Sequence, residues 1–69
     1  MPHIAISMYP GRAEQVKRNL AQKIQDLVVT ELKVDRAVVS VSVEEVAPEH
    51  WAAHLAKLPA DSMLLPPGK

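Results

Sequence analysis

The chain has 69 residues and no cysteine, and its eight basic side chains balance eight acidic ones. A domain of this size buries only about 60% of the surface that its unfolded chain exposes, so it usually needs self-association for stability. Disulfides and thiolate metal sites are excluded. Zero net charge and only two aromatic residues argue against a surface for nucleic acid or anionic membranes.

Signals that would direct the chain to or across a membrane are not seen in the sequence. No apolar run reaches the roughly 20 residues of a transmembrane helix, and no basic leader precedes an apolar segment at the amino terminus. Together with the lack of cysteine, this favours the cytoplasm.

Two segments alternate in polarity with the period of a β-strand. The first covers residues 2–8 and is ended by Pro10 and Gly11, and the second covers about residues 38–46 and is rich in β-branched side chains. One face of each strand is apolar, formed by Ile4, Ile6, Met8, Val39, Val41 and Val43. The opposite faces carry small side chains, chiefly Ala5, Ser7, Ser40 and Ser42.

The segment between these strands, about residues 13–33, has the spacing of an amphipathic helix. Its apolar stripe is formed by Val16, Leu20, Ile24, Leu27 and Val28, extended by Ala13, Ala21 and Leu32. The polar side is formed by Lys17, Arg18, Gln22, Gln25 and Asp26. Strand, helix and strand at this length predict a βαβ unit with parallel strands and a right-handed crossover.

The remainder of the chain predicts a short helix and an irregular tail. Pro48 suits the first position of a helix that continues to about Lys57, and the tail, residues 58–69, contains three prolines that exclude regular structure. The predicted fold class is α+β, in one domain of residues 1–69 with its core in residues 2–57. Two strands and one long helix leave a sheet face and two edges open, so we expect a second copy to cover them.

The dipeptide Met1-Pro2 is the most distinctive chemical feature. An initiator methionine is normally removed before proline, which would leave Pro2 with a free secondary amine. An α-amino group ordinarily titrates near pH ~8, so about a tenth is neutral at pH 7 and can serve as a base. The alternative is that Pro2 simply begins a strand.

Several short motifs resemble the tautomerase superfamily, in particular its 4-oxalocrotonate tautomerase-like family. They are Met-Pro-His-Ile-x-Ile at the start, Pro10-Gly11-Arg12, the Val39-Ser40-Val41 strand, and Glu45 with Pro48-Glu49-x-Trp51. The Pro-His-Ile start and the Pro-Glu-x-Trp segment are most similar to the PptA-type bacterial tautomerases. The resemblance covers about residues 2–55.

The resemblance implies a subunit that dimerises into a four-stranded sheet packed on two helices, and in some members a hexamer. It implies keto–enol tautomerisation of a small 2-oxo acid without metal or organic cofactor. Pro2 matches the catalytic acid/base, Arg12 the arginine that binds a substrate carboxylate or carbonyl, and Trp51 the aromatic wall of the pocket. The alternatives are a solvated turn arginine at position 12 and a core or interface anchor at position 51.

Two departures from the family pattern narrow these expectations. Ser40 stands where 4-oxalocrotonate tautomerase has a second catalytic arginine, which favours a smaller monoacid such as a substituted pyruvate enol. Alanine- and proline-rich sequence replaces the glycine-rich hairpin of hexameric members, which favours a homodimer over a hexamer.

Other candidate sites have weaker support in the sequence. His50 and His54 are spaced as metal ligands can be, but no glutamate separates them as in a metalloprotease. Glu44 and Glu45 are adjacent on a strand and therefore face apart. The alternative to an enzyme is a non-catalytic oligomeric module that retains the same fold.

Overall fold

The computed structural model describes residues 1–68 and contains one parallel pair of strands with two helices. Lys69, the last residue of the predicted tail, lies outside the described residues. In chain order the elements are β1 (His3–Met8), α1 (Glu14–Leu32), a 3₁₀ turn (Arg36–Val38), β2 (Ser40–Glu45), α2 (Pro48–Ala56) and a second 3₁₀ turn (Ala60–Ser62).

The two strands pair in parallel, as predicted from the βαβ pattern. The register sets His3 opposite Ser40 at one end and Met8 opposite Glu45 at the other. The valine face of β2 lies toward α1, where Val41 and Val43 border a groove with the first turns of the helix. The small and polar side chains predicted for the other face are therefore on the side away from α1.

The ends of α1 are set by backbone geometry rather than by side-chain caps. Ala13 precedes the helix in an extended conformation and offers no capping side chain. Gly11, in the turn before it, has φ 122°, a conformation that favours glycine. Lys33 ends the helix in the left-handed region, with φ 55°. The helix is shorter than the predicted 13–33 by one residue at each end.

Only part of the predicted apolar stripe of α1 is covered. Val16, Leu27 and Leu32 are each more than half exposed, whereas Leu20 and Ile24 are half-buried. The reason is the width of the sheet: two strands about 5 Å apart are no wider than one helix with its side chains. A single subunit therefore covers only part of the predicted stripe.

Two residues predicted on the polar side of α1 contact β2 or the residue before it instead. Lys17 Nζ lies 3.3 Å from Glu45 Oε2, and Gln25 Nε2 donates to the Val39 carbonyl at 3.2 Å. Long polar side chains at the boundary of a helix face can extend along it and place their polar ends at the sheet. Within residues 1–68, Val39 and Val46 are the two buried apolar residues.

The link between α1 and β2 is more ordered than the sequence predicts. Val38 ends a 3₁₀ turn instead of beginning the strand, because the Asp35 carboxylate accepts a hydrogen bond from the Ala37 amide at 3.3 Å. Arg36 Nη1 reaches back to Asp26 Oδ1 of α1 at 2.6 Å. This bond from Arg36, with another from Gln22, holds the pKa of Asp26 below its ordinary value.

The carboxyl-terminal helix is confirmed, and one feature of the tail is corrected. Pro48 occupies the first turn of α2, which ends at Ala56. Prolines in the tail do not exclude all regular structure, because Ser62 Oγ donates to the Pro59 carbonyl at 2.7 Å and a 3₁₀ turn forms between them. Leu64 and Leu65, which follow, are 85% and 91% exposed. Along residues 1–68, neither helix combines the length and apolar character that crossing a membrane requires.

Truncating a covered residue of α1 should destabilise the protein far more than truncating an exposed one. We expect Ile24→Ala to lower the free energy of unfolding by about 2 kcal/mol, the lower end for aliphatic truncation because the site is half-buried. The matched control is Leu27→Ala, whose side chain is 57% exposed. Urea unfolding of both variants measures the difference. Equal losses would contradict the packing described here, unless Leu27 lies in a contact between subunits, which sedimentation of the variant would reveal.

Candidate active site

An aromatic pair joins the end of β1 to α2. The rings of Tyr9 and Trp51 meet edge to face, with centroids 5.1 Å apart and planes at 85°. This arrangement is a favourable geometry for two aromatic rings. Trp51 is half-buried, so the contact anchors α2 beside the carboxyl end of β1 and forms one wall of a recess.

The recess is a cleft of about 460 Å³ at the carboxyl end of β1. Its lining is mostly apolar with a single charged side chain, and consists of Ser7, Met8, Tyr9, Arg12, Leu20 and Trp51. The structure thus brings together Arg12 and Trp51, two of the three residues that the sequence indicated. An apolar wall with one cation beside it suits a small ligand that has an acidic end and a less polar end.

Arg12 is available to bind an anion in this cleft. Among residues 1–68, no carboxylate lies within ion-pair distance of its guanidinium; the ion pairs found involve Lys17, Arg18 and Arg36. A guanidinium stays charged and presents parallel N–H groups that match the two oxygens of a carboxylate.

Pro2 lies at the other end of β1, away from the cleft. Its carbonyl accepts a hydrogen bond from the Ser40 amide at 3.2 Å, which extends the ladder one residue beyond the strand. At about 3.3 Å per residue, the strand places Pro2 roughly 20 Å from Tyr9. Within one chain, therefore, the structure does not bring Pro2 together with Arg12 and Trp51.

Ser40, the residue that departs from the family pattern, belongs to a hydrogen-bonded group across the two strands. His3 Nδ1 lies 2.7 Å from Ser40 Oγ, and His3 Nε2 lies 2.9 Å from Ser42 Oγ. The three side chains are exposed on the sheet face away from α1. Sequence alternation predicts that they share this face, but it gives no signal for the bridging imidazole.

A second histidine contact connects α2 to β1. His54 Nε2 lies 2.7 Å from the hydroxyl of Ser7, and both side chains are half-buried. The Nε2 atom of His54 is thus engaged in a hydrogen bond with Ser7. In the described part of the chain, no three His, Cys, Asp or Glu side chains are grouped as metal ligands. The spacing of His50 and His54, a weakly supported metal candidate in the sequence, is joined by no third ligand within residues 1–68.

Relatives with assigned names match most of the chain. The family described as "Tautomerase enzyme" matches residues 2–55. A probable tautomerase of Xylella fastidiosa is 35% identical over 51 residues, which are 74% of this chain and 62% of that protein. Tautomerase PptA of Escherichia coli O127:H6 is 37% identical over 54 residues, which are 77% of this chain and 72% of PptA. The match therefore spans less than two thirds of the Xylella relative.

Two solved structures share the architecture. The crystal structure of YwhB, described as a homologue of 4-oxalocrotonate tautomerase, matches with a TM-score of 0.70 and 26% identity over 84% of this chain and all of YwhB. DmpI from Helicobacter pylori matches with a TM-score of 0.62 and 31% identity over 67% of this chain and 78% of DmpI. The βαβ fold predicted from the periodic pattern is confirmed, and so is the resemblance to the tautomerase family.

Proposed function

Because this chain belongs to the tautomerase family, we propose that it catalyses keto–enol tautomerisation of a 2-oxo acid of the pyruvate-enol type. The observation that carries the proposal is the cleft that unites Arg12 with the Tyr9–Trp51 aromatic pair. It combines one carboxylate-binding cation with an apolar wall, as a small organic acid requires.

Pro2 supplies the acid/base in this proposal. Removal of Met1 turns the amide nitrogen of Pro2 into a secondary amine, whose lone pair can accept the proton of an enol hydroxyl and return a proton to the adjacent carbon. The ring restricts the orientation of that nitrogen, and the hydrogen bond between the Pro2 carbonyl and Ser40 fixes the residue to the sheet.

Arg12 and Trp51 hold the substrate. The guanidinium binds the carboxylate in a bidentate manner, and this binding orients the neighbouring 2-oxo group. Trp51 and Tyr9 exclude water from the apolar end, which strengthens the electrostatic interactions inside the cleft. Ser40 offers a neutral hydroxyl in place of a second cation, so we propose a monoacid with an aryl or alkyl substituent rather than a dicarboxylate.

The distance between Pro2 and the cleft leads us to propose that a second copy completes the site. β1 is an edge strand, and its outer edge is open. If two β1 strands pair in antiparallel fashion about a two-fold axis, the beginning of each strand lies beside the end of the other. Pro2 of one subunit then reaches the cleft of its partner, within a four-stranded sheet of a homodimer.

A non-catalytic module with the same fold is the alternative, and one assay separates the two. The enol of phenylpyruvate absorbs differently from its keto form, so its conversion can be followed by ultraviolet absorbance. We expect the chain with Met1 removed, as checked by mass spectrometry, to accelerate this conversion. No acceleration with this or any alkyl-substituted pyruvate enol would support the non-catalytic module.

A further inference from the structure

The contact between Ser7 and His54 is not used by the function proposed above, although Ser7 lines the same cleft as Arg12 and Trp51. Ser7 lies near the end of β1, and His54 is on α2 one turn after the aromatic wall. Their side chains approach to 2.7 Å, and the imidazole lies 6.3 Å from the Trp51 ring, centroid to centroid. The hydroxyl is therefore fixed by the helix that also forms the wall.

The direction of this hydrogen bond decides what Ser7 can offer to a ligand. A serine hydroxyl has one proton to donate and two lone pairs. When Nε2 of His54 carries a proton and donates it to Ser7 Oγ, the serine proton is free to point toward another acceptor. Within residues 1–68, His54 is the side-chain partner of this hydroxyl, and no second protein acceptor competes for its proton.

We propose that the Ser7 hydroxyl donates a hydrogen bond to the 2-oxo oxygen of the substrate, and that His54 is a positioning residue that orients this hydroxyl. The inference rests on the proposed tautomerase function and adds a neutral donor to the cation of Arg12. In a 2-oxo acid the carboxylate and the 2-oxo oxygen are on adjacent carbons. A charged donor for the first and a hydroxyl donor for the second match that chemistry within one cleft.

Because Ser7 and Arg12 bind different groups of the substrate, we expect their removal to change different kinetic parameters. Negative charge grows on the 2-oxo oxygen as the enol loses its proton, so a donor there acts mainly in the transition state and affects kcat. The carboxylate keeps its charge throughout, so Arg12 acts mainly on binding and affects KM. A purely structural contact between α2 and β1 would instead change stability and would not separate these parameters.

The test compares Ser7→Ala and Ser7→Thr with the parent chain on the phenylpyruvate enol, with Met1 removed in every case. We expect Ser7→Ala to lower kcat by about tenfold, as for the loss of one hydrogen bond, with KM within about twofold. Ser7→Thr keeps a hydroxyl and should retain most of the rate. Thermal unfolding of each variant shows whether the fold is unchanged.

A double-variant cycle then tests the role of His54. His54→Gln keeps an N–H donor near the same position and should retain activity, whereas His54→Leu should lose about as much kcat as Ser7→Ala. If His54 acts through Ser7, adding His54→Leu to Ser7→Ala causes little further loss. The inference would be overturned if the kcat losses of Ser7→Ala and His54→Leu were fully additive in the double variant, or if Ser7→Ala left kcat unchanged. In either case turnover by the parental chain would still support the tautomerase function. A parental chain without turnover would overturn both.

Discussion

Blocking the amine of Pro2 should lower kcat/KM for the phenylpyruvate enol by about 10²–10⁴-fold, the usual contribution of a positioned general base. One alanine added ahead of Pro2 converts its nitrogen to a tertiary amide, which has no basic lone pair. Retention of Met1 has the same chemical consequence. Steady-state kinetics on chains of defined mass, measured by mass spectrometry, give the factor directly.

Substitutions at Pro2 should lower the activity by smaller, graded amounts. Pro2→Ala keeps a primary amine and should retain part of the activity, while Pro2→Gly should lose more because the backbone is then least restricted. The matched control is one alanine added at the carboxyl terminus, which leaves the amine free. Full activity of a chain shown to retain Met1 would end the proline mechanism.

Removing the guanidinium of Arg12 should raise KM by about 10–100-fold, the range for a lost hydrogen bond to a charged group. Arg12→Ala leaves the aromatic pair of Tyr9 and Trp51 intact, so the fold should be unchanged. Arg12→Lys should recover only part of the loss, because an ammonium lacks the planar pair of donors. Initial rates over a range of enol concentrations measure both variants.

Two controls connect the effect to the carboxylate. Arg18→Ala removes another exposed arginine, one that pairs with Glu14 at 3.3 Å outside the cleft, and should leave KM unchanged. The methyl ester of the same enol lacks the carboxylate charge, so Arg12→Ala should affect it little. Equal effects of Arg12→Ala on acid and ester would mean that Arg12 does not bind the carboxylate.

The periodic features of the sequence predicted the elements of the fold well. Alternating side chains placed His3, Ala5 and Ser7 on one face of β1 and the larger apolar residues on the other, because a strand has only two faces. The length of the helix between the strands left a parallel pair as the expected arrangement. Pro48 predicted where α2 begins because its fixed φ suits the first turn.

Contacts that depend on the placement of α2 could not be predicted in the same way. The direction in which the chain turns after Val46 decides that Trp51 meets Tyr9 and that His54 meets Ser7. No periodicity encodes that turn. The sequence contained only a partial signal: His50 and His54 recur at helical spacing, which gave weak support for metal ligands and none for a contact with serine.

The sequence pattern also could not predict which residues of the apolar stripe of α1 are covered within one subunit. Hydrophobic spacing shows which residues share a helix face, but not how wide the opposing sheet is. Val16 and Leu27 fit the stripe as well as Ile24 does, yet they remain more than half exposed in one subunit. The stripe is wider than the single subunit covers, which agrees with our proposal that a second copy packs on this fold.

Mixing two impaired variants tests most directly the central claim that Pro2 of one subunit serves the Arg12 cleft of another. Pro2→Gly and Arg12→Ala chains are combined in equal amounts, unfolded and refolded together, and assayed with the phenylpyruvate enol at a concentration well below the parental KM, where both variants alone are slow. Half of the refolded dimers then contain one chain of each variant. In such a heterodimer one site has both Pro2 and Arg12 and the other site has neither, so about a quarter of parental activity should return. Activity no greater than the mean of the two variants alone would contradict a site shared between subunits.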